Sequence, residues 1–320
     1  MEQTTKLSTF AFDTLNGLSA SSKFLLPRYF YDDNGSRIFQ DIMQMPEYYL
    51  TDCEFEIFTH YQSEMKDLFV NGNSPFELVE LGSGDGLKTK ILLNHFVKHK
   101  INFKYVAVDI SRQANENLNK KLKAELPGLK TEFKTGDYFK MMNELNHDSD
   151  HSKVFLFLGS NIGNFMEDER HQFLSQLSDL IKQNDKLLMG FDLKKSQNII
   201  LKAYDDPHGY TRAFNLNHLL RINKELDADF DIESFRHVAQ YNEQSGETKS
   251  FLISNKKQSV YIGALEQRIL FQKDEPIYME LSQKFDLETI HQLAQKYGFR
   301  VEKNFTDTRN YFVDSLWVKE

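Results

Sequence analysis

A glycine-rich segment near residue 80 has the residue types of a nucleotide-binding turn. Its sequence is Glu80-Leu81-Gly82-Ser83-Gly84-Asp85-Gly86-Leu87, and it follows an apolar run and leads into a helix-like stretch. Glycines in such a turn allow close backbone approach to a ligand, and a helix N-terminus attracts negative charge. The third glycine falls one position early for G-x-G-x-x-G, so the dinucleotide-binding pattern is not met.

Two further acidic positions follow the next two predicted strands. Asp109 could accept hydrogen bonds from ribose hydroxyls, and in Gly136-Asp137-Tyr138 the carboxylate could accept from an adenine amino group while the ring stacks. A nucleoside site without a pyrophosphate site favours S-adenosylmethionine (SAM) over NAD. The alternative interpretation is that each glycine serves a turn and each aspartate caps a helix. Lys88 could pair with a cofactor carboxylate or a structural one, or be solvated.

Short β-like runs alternate with helical stretches between residue 76 and about residue 192, which predicts parallel βαβ units. Continuous apolar runs such as that at 154–158 suit central strands buried on both faces. We therefore predict an α/β protein with a Rossmann-like, doubly wound sheet. The predicted strands are 76–81, 105–109, 131–134, 154–158 and 186–192, and the predicted helices are 89–99, 113–125 and 168–181.

The remaining segments predict a second, inserted α+β lobe. Helical patterns extend to Tyr204 and over 216–226, and strand-like runs follow at 237–241, 250–253 and 259–264. The first 75 residues are rich in aromatic residues, with a predicted helix over 52–69, and the tail adds a helix over 286–297 and two strands. We expect a SAM-binding domain over 59–194 and 285–320, and a substrate-binding domain over 1–58 and 195–284.

Composition excludes several classes of protein. The 320 residues carry 39 Lys+Arg against 47 Asp+Glu, a net charge of −8 that is poorly matched to nucleic acid. Cys53 is the single cysteine, and His95 and His99 have no apparent third ligand, so we predict no metal site. The first six residues lack a signal-peptide pattern, and no apolar run approaches a membrane span. We expect a monomeric, cytoplasmic protein that binds neither nucleic acid nor membranes.

Eight islands of sequence resemble the L-histidine Nα-methyltransferases of ergothioneine biosynthesis, a family that includes fungal dimethylallyltryptophan N-methyltransferases. The resemblance covers almost the whole chain. In order, the islands are Tyr29-Phe30-Tyr31-Asp32-Asp33-Asn34-Gly35-Ser36, Pro46-Glu47-Tyr48-Tyr49, Glu80-Leu81-Gly82-Ser83-Gly84, Phe157-Leu158-Gly159-Ser160-Asn161-Ile162-Gly163-Asn164-Phe165, Ala203-Tyr204-Asp205-Asp206, Phe214-Asn215, Glu225-Leu226-Asp227-Ala228-Asp229-Phe230 and Glu280-Leu281-Ser282-Gln283-Lys284-Phe285.

This resemblance implies a class I SAM-dependent methyltransferase that methylates the α-amino nitrogen of an amino acid, with L-histidine the first choice. The implied catalytic residues are Tyr31, near the amine, and Asn164. The implied cofactor contacts are Gly82, Lys88, Asp109, Asp137 and Tyr138. The implied substrate contacts are Gly159, Asn164 and Tyr204 for the backbone, Phe39 in the pocket wall, and Tyr48, Glu280 and Ser282 for the side chain.

Two departures leave the acceptor open. Where the histidine enzymes usually carry Glu-Met, this chain has Lys249-Ser250, so the smaller Ser250 replaces a methionine that lines the pocket. Asn161 replaces the usual threonine of Gly-Ser-Thr-Ile-Gly-Asn. The alternative is therefore a SAM-dependent N-methyltransferase acting on another amino acid or a related amine. Glu280-x-Ser282 favours imidazole, because a carboxylate and a hydroxyl on one strand face suit its two nitrogens.

Overall fold

The computed structural model describes residues 8–70, 72, 74–148 and 151–320. The N-terminal hexapeptide that lacks a signal-peptide pattern lies outside these residues. The chain forms two compact units: a larger unit of Leu50–Lys194 and Gln283–Glu320, and a smaller unit of Met1–Tyr49 and Lys195–Ser282. The first boundary falls at the start of a helix, Tyr49–Phe69, which continues through the predicted boundary at residue 58.

The regular elements of the described residues are numbered in chain order. The helices are α1 Thr9–Ser19, α2 Asp33–Gln44, α3 Tyr49–Phe69, α4 Thr89–Lys98, α5 Arg112–Glu125, α6 Tyr138–Asp148, α7 Glu167–Leu180, α8 Gln197–Tyr204, α9 Tyr210–Leu226 and α10 Leu287–Lys296. The strands are β1 Phe76–Leu81, β2 Phe103–Asp109, β3 Thr131–Thr135, β4 Ser152–Phe157, β5 Lys186–Asp192, β6 Phe235–Tyr241, β7 Glu247–Ser254, β8 Gln258–Ile262, β9 Gln267–Phe271, β10 Pro276–Gln283, β11 Phe299–Thr306 and β12 Phe312–Lys319.

The larger unit is built on a seven-stranded sheet in the order β11-β12-β5-β4-β1-β2-β3. Strands β1 to β5 pair in parallel, and β12 is antiparallel to both β5 and β11. Every residue of β1 is buried, as expected for a strand covered on both faces. The chain order reverses direction between β1 and β4, and the carboxyl ends at such a point form the usual ligand crevice of open α/β sheets.

The smaller unit contains a three-stranded sheet, β10-β7-β6, and a separate hairpin of β8 and β9. Strands β6 and β7 are antiparallel, and β7 alternates buried and partly exposed residues along its length. Its core combines apolar side chains of α1 and α9 with those of the strands, including Phe10, Leu219, Leu252 and Met279. This unit is therefore an α+β structure with its own hydrophobic core.

The predicted α/β class and doubly wound sheet are confirmed, and the five predicted central strands agree with β1 to β5 within a few residues. The sequence did not predict α1, α2, α6 or β9. Residues 146–148 end α6, and 149–150 lie outside the described residues. Within the described ranges, no helix is both long and apolar enough to cross a bilayer.

Candidate active site

The glycine turn after β1 is held to β2 and leaves room for an aromatic ring. Gly82 donates its backbone N–H to the carbonyl of Val108 at 2.8 Å. It has a φ of +78°, and a Cβ added there would lie 2.8 Å from the hydroxyl of Tyr138. Glycine meets both demands, because it tolerates positive φ and presents no side chain. Two predicted cofactor residues, Gly82 and Tyr138, are therefore in contact.

Asp109, at the end of β2, organises the same turn. One carboxylate oxygen accepts from the backbone N–H of Gly84 at 3.0 Å, and the other accepts from the N–H of Ser111 at 2.8 Å. A carboxylate offers about four lone-pair positions, so capacity for ribose hydroxyls remains after these two bonds. The next residue, Ile110, is 81% exposed and adds an apolar surface beside the carboxylate that a flat nucleobase could cover.

Asp137 and Tyr138 follow β3. One Asp137 oxygen caps α6, accepting from the backbone N–H groups of Phe139 and Lys140 at 3.1 Å each. The helix-cap interpretation is thus confirmed for this residue, which is itself exposed. Burial, Asp109 and Asp137 together raise the pKa of Tyr138 to about 12, so its hydroxyl stays protonated at neutral pH.

Lys88 precedes α4 and pairs with a carboxylate of the protein. Its ammonium bonds to Glu54 of α3, whose side chain is 1% exposed, whereas 26% of the Lys88 side chain is exposed. Of the interpretations left open for Lys88, the structural ion pair is therefore present. Because the side chain is partly exposed, a contact with a cofactor carboxylate remains a prediction.

The turn after β4 contains the two residues of the larger unit that are predicted to contact the methyl acceptor, Gly159 and Asn164. Gly159 has a φ of +73° and donates its backbone N–H to Glu54 at 2.7 Å, so only its carbonyl is left for a substrate. A short 3-10 helix, Asn161–Asn164, follows. Asn164 ends this helix in an exposed position, and its amide forms no side-chain hydrogen bond with any part of the chain that the structure describes.

The smaller unit brings together four other predicted residues. The hydroxyls of Tyr204 and Ser282 are 2.8 Å apart, at the ends of α8 and β10. Tyr31 is 49% exposed. Desolvation by the surrounding protein raises the pKa of its hydroxyl, and the nearby Glu280 and Tyr204 raise it further. Tyr31 is therefore protonated at neutral pH.

An aromatic cluster adjoins these polar groups. The rings of Tyr31 and Phe39 are 5.4 Å apart, and those of Phe39 and Tyr48 are 6.2 Å apart. Phe214 of α9 completes the cluster, at 5.5 Å from Tyr31 and 5.7 Å from Phe39. Phe214 was part of a matched island but was given no role. Ser250, the departure from the family pattern, is buried on β7 directly opposite Ala239 of β6.

Sequence reasoning also missed Glu54, which contacts two predicted site residues. Asp52, Glu54 and Glu56 all lie in the same helix. The apolar residues Leu50, Cys53, Ile57 and Phe58 recur at helical spacing and place Glu54 on the buried face of α3, so this spacing could have identified it. Among the described residues, no group of three His, Cys, Asp or Glu side chains could hold a metal ion.

Comparison with known proteins decides the family. Residues 10–319 match the family of SAM-dependent, histidine-specific methyltransferases. The chain belongs to this family. The histidine N-alpha-methyltransferase of Mycolicibacterium smegmatis is 34% identical to this methyltransferase over 307 residues, which cover 96% of this chain and 94% of that protein. The enzyme of the same name from Mycobacterium tuberculosis is 34% identical over 308 residues, with the same coverage of both chains.

A more distant relative has a different acceptor in its name. The L-tryptophan methyltransferase of Psilocybe serbica is 29% identical over 280 residues, which cover 80% of this chain and 77% of that protein. The family resemblance inferred from the sequence is confirmed. This methyltransferase has SAM as its cofactor, and the glycine turn, Asp109 with its remaining lone pairs, and Tyr138 above Gly82 fit a nucleoside.

Proposed function

We propose that this methyltransferase transfers methyl groups from SAM to the α-amino nitrogen of L-histidine. Its main structural support is the cluster of Tyr204, Ser282, Glu280 and Tyr31, which joins polar groups for an amino acid at one place in the smaller unit. Family membership supports it as well, since two relatives that match nearly the whole chain are named as histidine N-alpha-methyltransferases.

The reaction needs no covalent intermediate between the protein and either substrate. When bound, SAM would supply an electrophilic methyl group on a sulfonium. The acceptor nitrogen would form the new C–N bond as the methyl–sulfur bond breaks, with S-adenosylhomocysteine as the leaving group and the amine proton passing to solvent. Most of the acceleration can come from holding the reacting atoms in alignment. We propose that the residues at the carboxyl ends of β1, β2 and β3 hold the cofactor: Gly82, Asp109, Asp137 and Tyr138, with Lys88 beside them.

The acceptor amine must be unprotonated to attack, and a free α-amino group has a pKa of roughly 8. An aromatic surface such as that of Phe39 and Phe214 disfavours the charged ammonium through desolvation. Tyr31 retains its proton, because desolvation of its hydroxyl and the nearby Glu280 raise its pKa. We therefore assign to Tyr31 the orientation of the amine by hydrogen bonding, rather than the role of a strong base.

The remaining assignments follow the chemistry of the two ends of histidine. Asn164 and Tyr204 are neutral donors suited to a carboxylate, and the Gly159 carbonyl could accept from the amine. Glu280 can accept from an imidazole N–H, while Ser282 can donate to the other ring nitrogen. Tyr204 would then connect the residues for the two ends of histidine. It would bind the carboxylate directly, and its hydroxyl lies 2.8 Å from that of Ser282, which would bind the imidazole.

The decisive experiment is mass spectrometry after incubation with isotopically labelled SAM and an equimolar mixture of the common amino acids. We expect labelled methyl groups on histidine, with one, two or three additions resolved by mass. Acid-stable label at the α-nitrogen, located by fragmentation, would distinguish that position from the imidazole. Label on another amino acid, with histidine unchanged, would overturn the histidine assignment but retain methyl transfer.

A second acceptor class is supported by Ser250. This serine faces Ala239 across β6 and β7, so two small side chains stand where the family usually has a methionine. A larger or differently shaped acceptor, such as the indole that the Psilocybe relative's name specifies, would benefit from added space. Ser250→Met restores the family residue. If histidine is the substrate, this variant should keep or improve histidine turnover, whereas loss of turnover of a bulkier acceptor would favour the second class.

We further propose that the protein works as a cytoplasmic monomer on a small molecule and not on nucleic acid. The net charge of −8 supports the last point, because phosphate backbones attract clustered Lys and Arg. Light scattering coupled to size exclusion should give a mass near 37.6 kDa. A mass twice as large would overturn the monomer.

A further inference from the structure

Glu54 is a buried carboxylate in the larger unit that the proposed methyl transfer does not itself use. It lies on α3, its residue exposure is 0%, and it contacts both the turn after β4 and the residue before α4. A buried charge is costly unless ion pairs and hydrogen bonds compensate it. The burial of Glu54 is therefore explained by the groups that its carboxylate contacts.

One glycine donates a hydrogen bond to this carboxylate, and another leaves space for it. Oxygen Oε1 of Glu54 accepts from the Gly159 N–H at 2.7 Å. The same oxygen lies 2.8 Å from where a Cβ on Gly190 would be, so any side chain at this position of β5 would displace it. Gly190 pairs with Asp314 of β12 in the sheet, which puts Asp314 beside the same carboxylate. Glu54 thus packs on the sheet surface where β4, β5 and β12 run side by side.

Asp314 is a second buried carboxyl, and its residue exposure is 0%. Neither of its oxygens has a conventional hydrogen-bond donor among the described residues. Burial raises the pKa of Asp314 well above its usual value, Glu54 raises it further, and Lys88 opposes the shift. A protonated Asp314 can donate to Glu54, which gives one of its two oxygens a partner and avoids a second buried negative charge.

Lys88 is the cation of this cluster. Glu54 raises the pKa of its ammonium even though burial lowers it, and Asp314 and Glu80 contribute in the same direction as Glu54. The Lys88 Nζ also lies 3.5 Å from where a Cβ on Gly159 would be. One carboxylate, Glu54, therefore fixes two groups at once: an ammonium beside the cofactor turn and a peptide that leads to Asn164.

We propose that Glu54 is a positioning residue for methyl transfer, holding the Lys88 ammonium and the Gly159 peptide in place, with Asp314 as its proton-bearing partner. This inference deepens the proposed function and rests on it for the catalytic readout. Glu54 touches neither cofactor nor acceptor in this assignment. Its effect passes through Lys88 to cofactor affinity and through Gly159 to the turn that carries Asn164.

Two substitutions separate these effects. Glu54→Gln keeps an oxygen that can accept from the Gly159 N–H but removes the charge that pairs with Lys88. We expect a KM for SAM raised about tenfold with kcat changed less than threefold. Glu54→Ala removes both interactions, and we expect kcat to fall at least tenfold as well. A matched control is Glu56→Gln on the same helix, because Glu56 is an exposed-site acceptor for the Thr308 N–H at 2.8 Å.

A steric variant tests the same location without changing any charge. A Cβ at Gly190 would lie 2.8 Å from Glu54 and 3.0 Å from the Phe312 ring, so Gly190→Ala should displace both side chains. Displacement of Glu54 should reproduce the raised KM for SAM expected of Glu54→Gln. Folding of each variant is checked by near-ultraviolet circular dichroism, and only folded variants are compared. Wild-type KM and kcat in folded Glu54→Gln and Gly190→Ala would overturn the proposal.

Calorimetry with S-adenosylhomocysteine keeps this test independent of the acceptor. We expect Glu54→Gln to weaken its binding at least fivefold, and Glu56→Gln to leave it unchanged. If wild type binds this ligand but methylates no amino acid, the proposed function fails while the role of Glu54 in holding Lys88 is still measured. Equal affinity of wild type and Glu54→Gln would overturn that role. The proton on Asp314 should appear as a carboxylic-acid C=O infrared band that is lost in Asp314→Asn, and its persistence would overturn the assignment.

Discussion

At the scale of single residues, each carboxylate of the proposed cofactor site also stabilises local structure. Asp109 holds the glycine turn through Gly84, and Asp137 caps α6 through the N–H groups of two residues. The interpretations of these aspartates as cap or as ligand residue are therefore compatible, because a carboxylate has more lone pairs than either task requires. Substitution at these positions is expected to affect both the turn and the ligand.

Replacement of Asp109 tests the cofactor assignment. We predict that Asp109→Ala weakens SAM binding by about 1–3 kcal/mol, the range for a lost hydrogen bond involving a charged group. Asp109→Asn retains one acceptor oxygen and should lose less. Isothermal titration with S-adenosylhomocysteine measures both, and a thermal melt confirms that the turn still folds. Unchanged affinity in folded Asp109→Ala would remove this residue from the site.

Replacement of Glu280 tests the acceptor assignment. Glu280→Ala should lower kcat/KM for histidine by one to two powers of ten, which corresponds to roughly 1.5–3 kcal/mol for a charge-assisted hydrogen bond. Cofactor affinity should change little, and a larger aromatic acceptor such as tryptophan should gain from the apolar space. Equal histidine turnover in wild type and variant would contradict the imidazole contact without affecting the cofactor residues.

From the sequence alone, we proposed site residues that directly follow strands. We did not predict the residues that pack against those site residues. Asp109 ends an apolar run, where a polar residue is conspicuous, whereas Asp137 follows the more polar β3 in Gly136-Asp137-Tyr138. Glu54 sits in a helix among other acidic residues, and its burial depends on Gly190 and Asp314, which are distant in sequence. Similarly, nothing in the sequence distinguishes Phe214 from the rest of the 27 phenylalanines. Its role follows only from the fold, in which α9 packs it against Tyr31.

At the scale of elements, prediction succeeded where burial imposes a simple pattern. Strands such as β1 and β5 are buried along nearly their whole length, so they appear as continuous apolar runs. Strand β9 alternates exposed and buried residues over only five positions, which gives a weaker signal. Helix α1 begins at an N-cap serine, Ser8, but it has no acidic residue in its first turn and no basic residue in its last, so its C-terminal end is weakly marked in the sequence.

The turn after β4 contains local strain that the surrounding structure must hold. Ser160 adopts a φ of 56° and a ψ of 27°, in the left-handed region that non-glycine residues rarely occupy. Its hydroxyl accepts from the backbone N–H of Asp192 at 2.9 Å, and its carbonyl accepts from Gly163 at 2.9 Å. These bonds fix the peptide that leads to Asn164.

Two substitutions at Ser160 separate strain from hydrogen bonding. Ser160→Ala loses the buried bond and keeps the strain, so we predict a loss of about 1–3 kcal/mol in the free energy of unfolding. Ser160→Gly loses the same bond but relieves the left-handed conformation, worth about 1–2 kcal/mol, and should be destabilised less. Urea unfolding measures both. Equal or greater destabilisation by glycine would contradict the account of strain.

At the scale of the whole molecule, each unit contains a buried ionisable group that responds to pH in the opposite direction. In the larger unit, burial raises the pKa of Glu80 from 4.5 to about 7, although Thr89 and Tyr105 donate hydrogen bonds to it. In the smaller unit, burial lowers the pKa of His218 from 6.5 to about 3, and Arg221 lowers it further.

The signs follow from which state binds more protons. Folded Glu80 keeps its proton above pH 4.5 while the unfolded chain loses it, so its contribution to stability is present below pH 4.5 and is lost as pH rises to about 7. Folded His218 remains neutral below pH 6.5 while the unfolded chain takes a proton. Its contribution is therefore present above pH 6.5 and is lost as pH falls towards 3.

Between pH 4.5 and 6.5 these two contributions oppose each other, and each has a slope of about 1.4 kcal/mol per pH unit. Replacing one of the two groups should therefore reveal the pH dependence that the other contributes to the free energy of unfolding. In Glu80→Gln the free energy of unfolding should rise with pH, relative to wild type, by about 1.4 kcal/mol per unit. In His218→Leu, which replaces an imidazole packed among Phe10, Tyr29 and Phe30, it should fall by a similar amount.

Urea unfolding at several pH values across this window measures both slopes, and comparison with wild type cancels the titration of all other groups. Constant offsets from repacking do not matter, because only the change of slope is compared. If the two units unfold in separate transitions, each substitution should affect the transition of its own unit. A slope in His218→Leu equal to that of wild type would show that the imidazole is charged or solvated in the folded protein, because only a neutral, buried histidine produces this difference.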